Sequence, residues 1–243
     1  MATQKLQYSL VIPVFNEEDN LYLLRDNIVG AMSSIGGNYE VILVDDGSTD
    51  QSRPIIREIC QKNPEFRYLF FDKNHGQTAG FSAGFEAAKG DIIITMDADL
   101  QTDCNDIPLL LEHLDEYDAV VGYRMKRADK WIKRISSKIA NGIRNKLSGE
   151  DIRDVGCPLK AIKREAAQSL KIFNGMHRFF PTLLKYEGYR VLEVGVHHFQ
   201  RKHGESKYNV GNRAWRAFID LLAVCWMKRR YLHYKIVESS KSS

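Results

Sequence analysis

The sequence predicts an α/β fold with one main domain built around a central, mostly parallel sheet. Short apolar runs of strand length, such as Val41-Ile42-Leu43-Val44, alternate with segments of helical periodicity through the first hundred residues. Acidic residues follow directly after two of these runs, at Asp45-Asp46 and at Asp97-Ala98-Asp99. Because ligands of such sheets bind beyond the carboxyl ends of the strands, we expect these acids to line a binding site.

The first strand is predicted over Tyr8-Ser9-Leu10-Val11-Ile12 and is expected to end at Pro13. Asn16 is then expected to cap a helix with an acidic first turn. The residues expected to form the buried side of this helix are Leu21, Leu23, Leu24 and Ile28.

The next elements follow the same alternation. Val41 to Val44 is predicted as the second strand and Phe66 to Phe71 as the third. A small-residue loop, Asn74 to Gly80, is predicted to open a helix that runs through Ala87. Asp91 to Met96 is predicted as a buried central strand, because it is short, apolar and β-branched.

Two carboxylates one residue apart follow this central strand. On an extended backbone residues i and i+2 point to the same side, so Asp97 and Asp99 could both face one point beyond the strand end. Like charges held that close require a positive partner, and a divalent cation with oxygen ligands, Mg²⁺ or Mn²⁺, is the simplest one. The alternative is an acidic turn that only faces solvent.

Composition and motifs exclude several classes. The first strand is not followed by a glycine-rich dinucleotide turn, and no Walker-type phosphate loop is present. The four cysteines are too far apart for a zinc or dithiol motif, which favours reduced thiols, and Cys157 is predicted to be a packed side chain. His197 and His198 are adjacent on a predicted strand, so a zinc site that joins them to His203 is not expected. The sequence shows no signal peptide and no apolar stretch near the ~20 residues that span a bilayer.

Four motifs in sequence order resemble glycosyltransferase family 2. They are Val11-Ile12-Pro13-Val14-Phe15-Asn16-Glu17-Glu18, Val44-Asp45-Asp46-Gly47-Ser48-Thr49-Asp50, Asp97-Ala98-Asp99-Leu100-Gln101 and Arg201-Lys202-His203-Gly204-Glu205-Ser206-Lys207-Tyr208. The last motif narrows the resemblance to the polyprenyl-phosphate sugar transferases, similar to dolichyl-phosphate mannose synthase and its bacterial undecaprenyl-phosphate relatives. The resemblance covers about residues 6 to 210 and implies a nucleotide-diphospho-sugar transferase fold of the GT-A type.

The resemblance implies a donor site and a metal site. The residues implied to border the nucleotide are Pro13, Phe15, Glu17, Gly76, Asp97 and Ala98, with Asp45 or Asp46 reading the base or ribose. The implied metal ligands are Asp97, Asp99 and Gln101. The resemblance also implies a sugar on GDP or UDP as the donor.

The acceptor implied by the resemblance is a polyprenyl phosphate. A phosphate monoester is mostly ionised at neutral pH, so it needs no general base and the enzyme must position it and stabilise charge. The basic stretch from Arg124 to Lys146 suits such an anion. The residues implied to act on the phosphates are Arg124, Arg134 (or Lys133), Arg201 and Lys207.

The chain is expected to divide into a catalytic domain (1–210), an amphipathic helix (211–235) and a polar tail (236–243). The helix carries tryptophans and ends in Lys228-Arg229-Arg230, which is typical of a helix lying on a membrane surface. Packing on its own domain or in a dimer interface would produce the same periodicity. We expect a peripheral protein at the cytoplasmic face of a membrane.

Two other functions remain open from the sequence. One is a glycosyltransferase with a hydroxyl acceptor in cell-envelope glycan synthesis, which would need a general base. The other is a noncatalytic nucleotide-sugar-binding subunit. Nucleic acid is not expected as a partner, because the basic residues lack interleaved aromatic side chains apart from Trp131.

Overall fold

The computed structural model describes residues 5–125, 152–199 and 210–230, except for the side chains of 210–217. The strands of this part are β1 (Tyr8–Val14), β2 (Tyr39–Asp45), β3 (Phe66–Phe70), β4 (Ile92–Thr95), β5 (Ala119–Arg124), β6 (Lys160–Lys163) and β7 (Val191–Val196). Its α-helices are α1 (Leu21–Ile35), α2 (Ser52–Lys62), α3 (Gln77–Ala87), α4 (Ile107–Leu111), α5 (Arg164–Ser169), α6 (Phe180–Tyr186) and α7 (Val210–Arg230).

The strands form one seven-stranded sheet in the order β3-β2-β1-β4-β6-β5-β7. Every neighbouring pair is parallel except the two pairs that include β6, which runs antiparallel to β4 and to β5. The predicted α/β class with a mostly parallel sheet is therefore confirmed. The reversed strand β6 has a consequence for the site, because its first residue lies at the edge where the other strands end.

Helices cover both faces of the sheet, and each face has its own apolar core. Leu10, Ile12 and Val14 of β1 pack with α1, α2 and α4 on one side, whereas Val11 faces α3, α6 and α7 on the other. This alternation follows from the two-residue period of a strand. Because both faces are covered, the inner strands are apolar at nearly every position, which is the pattern that made them recognisable in the sequence.

Three local predictions were wrong. β1 continues through Pro13 to Val14, because its pairing with β4 has already ended at Val11 and the missing proline N–H leaves no gap in that ladder. Asn16 does not cap α1, which begins at Leu21; its side-chain oxygen instead accepts a hydrogen bond from the Thr49 amide at 2.8 Å. Leu23 is 39% exposed and lies outside the buried face of α1.

Helix α3 approaches β1 very closely at its glycines. A Cβ atom on Gly84 would lie 2.1 Å from Cγ1 of Val11, and one on Gly80 would lie 2.9 Å from Cβ of Pro13. Since Val11 is a fully buried, β-branched residue in a central strand, it has no room to yield. The close approach places the first turn of α3 next to the carboxyl ends of β1 and β4.

We predict that Gly84→Ala destabilises the protein by about 1–3 kcal/mol, because the added methyl group overpacks the contact with Val11. Gly30→Ala in α1 is the matched control, since a Cβ there meets no atom within 4 Å. Alanine is the better helix former by up to about 1 kcal/mol, so this control should be neutral or stabilising. Urea denaturation measures both; equal effects of the two substitutions would contradict the close packing of α3 on β1.

Candidate functional site

The candidate site lies at the edge of the sheet where β1, β2, β4 and β5 end. Val14 pairs with Asp45 at the ends of β1 and β2. Lys160, the first residue of the reversed strand β6, is level with Thr95 of β4 and Val121 of β5. The acids predicted from the sequence and this basic residue, which the sequence reasoning did not nominate, are therefore brought to one edge.

Asp97 is partly buried just beyond β4 and is held by α3. The side-chain amide of Gln77 donates to Oδ1 of Asp97 at 2.7 Å. Burial raises the pKa of Asp97 to about 6, and repulsion by Asp99 adds to the shift, while the positive charge of Lys160 opposes it. The contribution of Asp99 to this shift indicates that the Asp99 carboxylate lies near Asp97.

The backbone that carries this pair is bent, whereas the prediction assumed an extended one. Leu100 has φ +60°, a left-handed conformation that is costly for a branched side chain. The bend leaves Asp99 8% exposed, with its Oδ1 accepting the Gln101 amide at 3.2 Å. The Gln101 side chain donates to the Phe199 carbonyl at 3.1 Å, so it is turned toward the segment after β7.

The two basic residues Arg124 and Lys160 at this edge both have hydrogen-bond partners; Lys160 is buried and Arg124 is partly buried. Arg124 forms a two-pronged ion pair with Asp154, through Nε to Oδ2 at 2.6 Å and Nη2 to Oδ1 at 2.8 Å. Lys160 is 4% exposed, and its ammonium group donates to the Cys157 carbonyl at 2.5 Å. Desolvation by burial lowers the pKa of Lys160, and the nearby acids, including Asp97, oppose this shift.

The loops after β1 and β2 are joined by hydrogen bonds. The Asn16 amide donates to Oγ of Ser48 at 2.9 Å, and the Glu17 amide donates to Oγ of Ser52 at 3.0 Å. The Glu17 carboxylate accepts from the Asn20 side chain at 2.7 Å. These contacts fix the loop that contains Phe15, whose ring is partly exposed at the edge of the sheet.

The adjacent acids Asp45 and Asp46 have different surroundings. Asp46 accepts the amides of His75 at 2.6 Å and Gly76 at 2.9 Å, and also the Asn74 side chain at 2.9 Å. Burial raises the pKa of Asp46, and these backbone hydrogen bonds partly offset the shift. Asp46 therefore organises the loop before α3. Gly76 starts that helix with φ +93°, which favours glycine.

Asp45 is fully buried and uses only one of its oxygens. Its Oδ1 accepts the Ser48 amide at 3.1 Å and Nε of Arg53 at 2.5 Å. Its Oδ2 is a buried oxygen with no hydrogen-bond partner. The remaining nucleotide-site candidates are apolar: Pro13 packs under Gly80, and Ala98 is buried.

A further cluster, which the sequence reasoning missed, includes two acids that follow the Asp97/Asp99 pair by a few residues in the sequence. Potential ligand atoms of Asp103, Asp106 and His197 all lie within 4.8 Å of one another. Oδ2 of Asp106 accepts a hydrogen bond from the backbone amide of His197 at 2.5 Å, and Oδ1 of Asp106 lies 2.9 Å from the ring nitrogen Nδ1 of His197. The cluster joins the segment after β4 to the segment after β7. No local sequence pattern predicts that these two segments are in contact. The sequence reasoning considered His197 only together with other histidines.

The described residues offer two places for a divalent cation. The Asp97 and Asp99 carboxylates supply oxygen ligands of the kind that Mg²⁺ and Mn²⁺ prefer, and a bound cation would offset the burial and the repulsion that raise the pKa of Asp97. In the Asp103, Asp106 and His197 cluster, Asp106 is already occupied by His197, so this acid and imidazole can satisfy each other without a metal. The first place fits better.

Several predicted residues lie outside the described part of the chain, among them Arg134, Arg201 and Lys207. Their predicted roles stay predictions. Cys157 is 2% exposed and burial raises the pKa of its thiol, which confirms the expectation of a packed side chain.

Comparisons with known proteins agree with this architecture. The family model "Glycosyl transferase family 2" matches residues 9–171. The chain is 40% identical over 205 residues to an undecaprenyl-phosphate 4-deoxy-4-formamido-L-arabinose transferase of Edwardsiella ictaluri, covering 83% of this chain and 63% of that protein. It is 38% identical over 232 residues to a dodecaprenyl-phosphate galacturonate synthase of Rhizobium johnstonii, covering 93% of this chain and 68% of that protein.

Solved structures share the fold. A glucosyl-3-phosphoglycerate synthase from Mycobacterium tuberculosis, crystallised with Mn²⁺, uridine diphosphate and glucosyl-3-phosphoglycerate, matches with a TM-score of 0.69 at 19% identity. The match covers 91% of this chain and 80% of that chain. The predicted GT-A type of fold is thereby confirmed.

We predict that Asp97→Asn stabilises the metal-free protein at pH 8 by about 1–3 kcal/mol, an estimate at ~1.4 kcal/mol per pKa unit. The pKa of Asp97 is raised from 3.8 to about 6 on folding. The native fold is therefore favoured below pH 3.8 and loses this contribution as the pH rises through about 6. Asparagine keeps an oxygen for Gln77 and lacks the charge.

Thermal unfolding in EDTA at pH 8 and pH 4 measures the effect. The gain in stability of Asp97→Asn should vanish at pH 4. Asp115→Asn is the control, because Asp115 is exposed, and its stability should equal that of the wild type at both pH values. A variant less stable than the wild type at pH 8 would contradict the raised pKa of Asp97.

Proposed function

This chain belongs to glycosyltransferase family 2, and we propose that it transfers a sugar from a nucleoside diphosphate to a polyprenyl phosphate. The observation that carries the proposal is the similarity, over 83% and 93% of the chain, to two transferases whose names specify polyprenyl-phosphate products. The chain spans less than two thirds of the arabinose transferase, so the activity of that whole protein is a proposal for this chain. The sugars in the names of these two relatives are a formamido-arabinose and galacturonate, so the comparisons do not support mannose in particular as the transferred sugar.

We propose that Asp97 and Asp99 hold Mg²⁺ or Mn²⁺, with Gln101 nearby. A bound divalent cation would neutralise the departing nucleoside diphosphate. The chain's own contribution is to hold two carboxylates at a fixed place, through the Gln77 hydrogen bond and the bend at Leu100. The Mn²⁺ in the similar Mycobacterium tuberculosis structure supports this choice of ion.

The acceptor phosphate needs positive charge and no general base. Arg124 is a candidate, since the ion pair with Asp154 holds its guanidinium at the edge where β5 ends. Arg134, Arg201 and Lys207 are proposed from their motifs alone. Lys160 adds a buried positive charge near Asp97, where negative charge accumulates when donor and acceptor phosphates are bound together.

The nucleoside would lie between the loops after β1 and β2. We propose Pro13, Phe15, Glu17, Gly76 and Ala98 as its surroundings, with Asp45 as the acid that reads it. Asp46 is better explained as the residue that shapes the loop before Gly76, because its oxygens accept hydrogen bonds from that loop.

Helix α7 has two apolar sides, and we propose that the exposed one rests on a membrane surface. Leu221 and Val224 are buried in the domain core. Ile219, Leu222 and Trp226 are 48%, 48% and 63% exposed, and their spacing places them on one side of the helix beside Phe218. Exposed Lys228, Arg229 and Arg230 follow, which suits anionic head groups. No helix among the described residues is long and apolar enough to cross a bilayer. We place the protein at the cytoplasmic face, where nucleotide sugars are present.

The transfer reaction can be tested directly. We predict that radiolabelled sugar moves from one of a panel of donors, including UDP-galacturonate, UDP-glucose and GDP-mannose, into undecaprenyl phosphate in the presence of Mn²⁺ and not of EDTA. Asp99→Asn should reduce the rate by at least about 100-fold, because losing a ligand removes several kcal/mol of charge stabilisation. Asp103→Asn is the matched control and should stay within about twofold. Donor binding without label in the lipid fraction would contradict the lipid acceptor and favour a hydroxyl acceptor.

The membrane surface gives a separate prediction. Trp226→Ala with Leu222→Ser should lower binding to vesicles containing anionic phospholipid by roughly tenfold or more, since each exposed apolar side chain contributes about 1–2 kcal/mol on insertion. Leu109→Ser is the matched control, because Leu109 is 41% exposed on α4, on the opposite side of the sheet. Co-sedimentation measures binding. Vesicle binding that the double substitution leaves unchanged, or a dimer in solution that it dissociates, would contradict membrane docking of this face.

A further inference from the structure

The segment after β4, which carries the acidic pair, is bound to the segment after β7. The Phe199 amide donates to the Gln101 carbonyl at 2.9 Å, and the Gln101 side chain donates back to the Phe199 carbonyl at 3.1 Å. Thr102 and His198 form an isolated antiparallel bridge beside them. The two segments are therefore joined at consecutive residues, and both backbone polar groups of Phe199 bind Gln101.

The sheet itself does not bring these two segments together. Strands β6 and β5 lie between β4 and β7, so the ends of β4 and β7 are about 14 Å apart at ~4.8 Å per strand. One segment or both must run across the carboxyl end of β5 to make the contact. Asp106 extends the contact, because its carboxylate accepts the His197 amide and lies against the His197 ring. The contacts between the segments, and not the strand pairing, therefore fix where the segment after β7 begins.

The contact with Phe199 requires an amide side chain at position 101. A backbone carbonyl can only accept a hydrogen bond, so the nitrogen of the Gln101 amide must face it. The amide oxygen then remains for the cation proposed at the neighbouring acids. A glutamate of the same length would supply such an oxygen too, but an ionised carboxylate has no proton to donate and would oppose the Phe199 carbonyl. The hydrogen bond to Phe199, and not the supply of an oxygen, thus distinguishes glutamine from glutamate here.

We propose that Gln101 is a positioning residue for the acceptor phosphate, because its side chain holds the segment at Phe199 that leads into the motif Arg201 to Lys207. The inference rests on the proposed function, which supplies the polyprenyl phosphate and the role of that motif. Gln101 follows Asp99 by two residues, and Phe199 precedes the motif by two residues. The hydrogen bonds therefore tie the proposed metal site to the start of the acceptor motif. Groups held in a fixed relation lose less freedom when donor and acceptor are brought into the reactive geometry.

Gln101→Glu tests the proposal, because it keeps the length and an oxygen and removes the donor. The KM for undecaprenyl phosphate should rise by about tenfold or more, since the lost hydrogen bond is replaced by repulsion between two oxygens. The KM for the sugar donor that the transfer assay selects should stay within about twofold, since the donor does not depend on this hydrogen bond. Binding of Mn²⁺ alone, followed by the electron paramagnetic resonance of free Mn²⁺, should be as tight as in the wild type or tighter.

Hydrogen exchange measures the contact itself, without metal or substrates. The Phe199 amide should exchange about fivefold faster or more in Gln101→Glu, because its own hydrogen bond belongs to the same pairing. Gln101→Met removes the donor without adding charge and should show the same faster exchange and the same raised KM for undecaprenyl phosphate. Asn105→Asp is the matched control, since it adds the same charge at an exposed position whose side chain donates to Asp103 within its own segment. Its exchange at Phe199 and its acceptor KM should equal those of the wild type.

The outcomes separate this proposal from the proposed function. Sugar transfer by the wild type, with an unchanged acceptor KM in both Gln101 variants, would overturn the positioning role and leave the proposed function standing. A loss of Mn²⁺ affinity in Gln101→Glu that matches the rise in acceptor KM would show that Gln101 acts on the metal alone, and would also overturn it. A wild type that transfers no sugar to undecaprenyl phosphate from any donor would overturn both claims.

Discussion

The acidic pair beyond β4, Asp97 and Asp99, is the feature on which the candidate site depends. Burial, and after it repulsion by Asp99, raise the pKa of Asp97, so the charged form of Asp97 is costly in this fold. Much of the surrounding structure acts to hold this pair in place. Helix α3 approaches β1 through its glycines and brings Gln77 to Asp97. The reversed strand β6 brings Lys160 to the same edge.

The buried acids at this edge differ in how much of their hydrogen-bonding capacity the protein uses. Asp46 is occupied by the loop before α3, and Asp154 is occupied by Arg124. Asp45 and Asp97 each have one oxygen with a protein donor. This difference supports the proposal that Asp45 and Asp97 contact ligands, whereas Asp46 and Asp154 hold the loops and the arginine around the site. The division follows from hydrogen-bond partners and not from sequence position, since Asp45 and Asp46 are adjacent.

The strands, the fold class and the acidic motif could be predicted from the sequence because their signals are local. A buried strand is a short apolar run, and its carboxyl end is where the acids follow. Local patterns failed where a distant partner decides the structure. Asn16 binds Thr49 instead of capping its own helix, and Pro13 is tolerated inside β1 because β4 ends early.

The same limit explains the residues that the sequence reasoning missed. Lys160 has significance only because β6 is inserted in reverse between β4 and β5, which no pattern within β6 predicts. In the sequence, Arg53 is one charged residue of an amphipathic helix. Its contacts with Asp45 and the Phe71 carbonyl are visible only in the structure. The pairing of Asp106 with His197 joins positions that are far apart in the sequence.

The central claim is that the paired carboxylates beyond β4 are the metal site of a nucleotide-sugar transferase. Anomalous diffraction at the manganese edge, from crystals grown with Mn²⁺ and UDP, tests it most directly. The account predicts one strong peak within coordination distance of Asp97 or Asp99, with the diphosphate of UDP beside it. A peak held instead by Asp103, Asp106 and His197, with none at the pair, would contradict it.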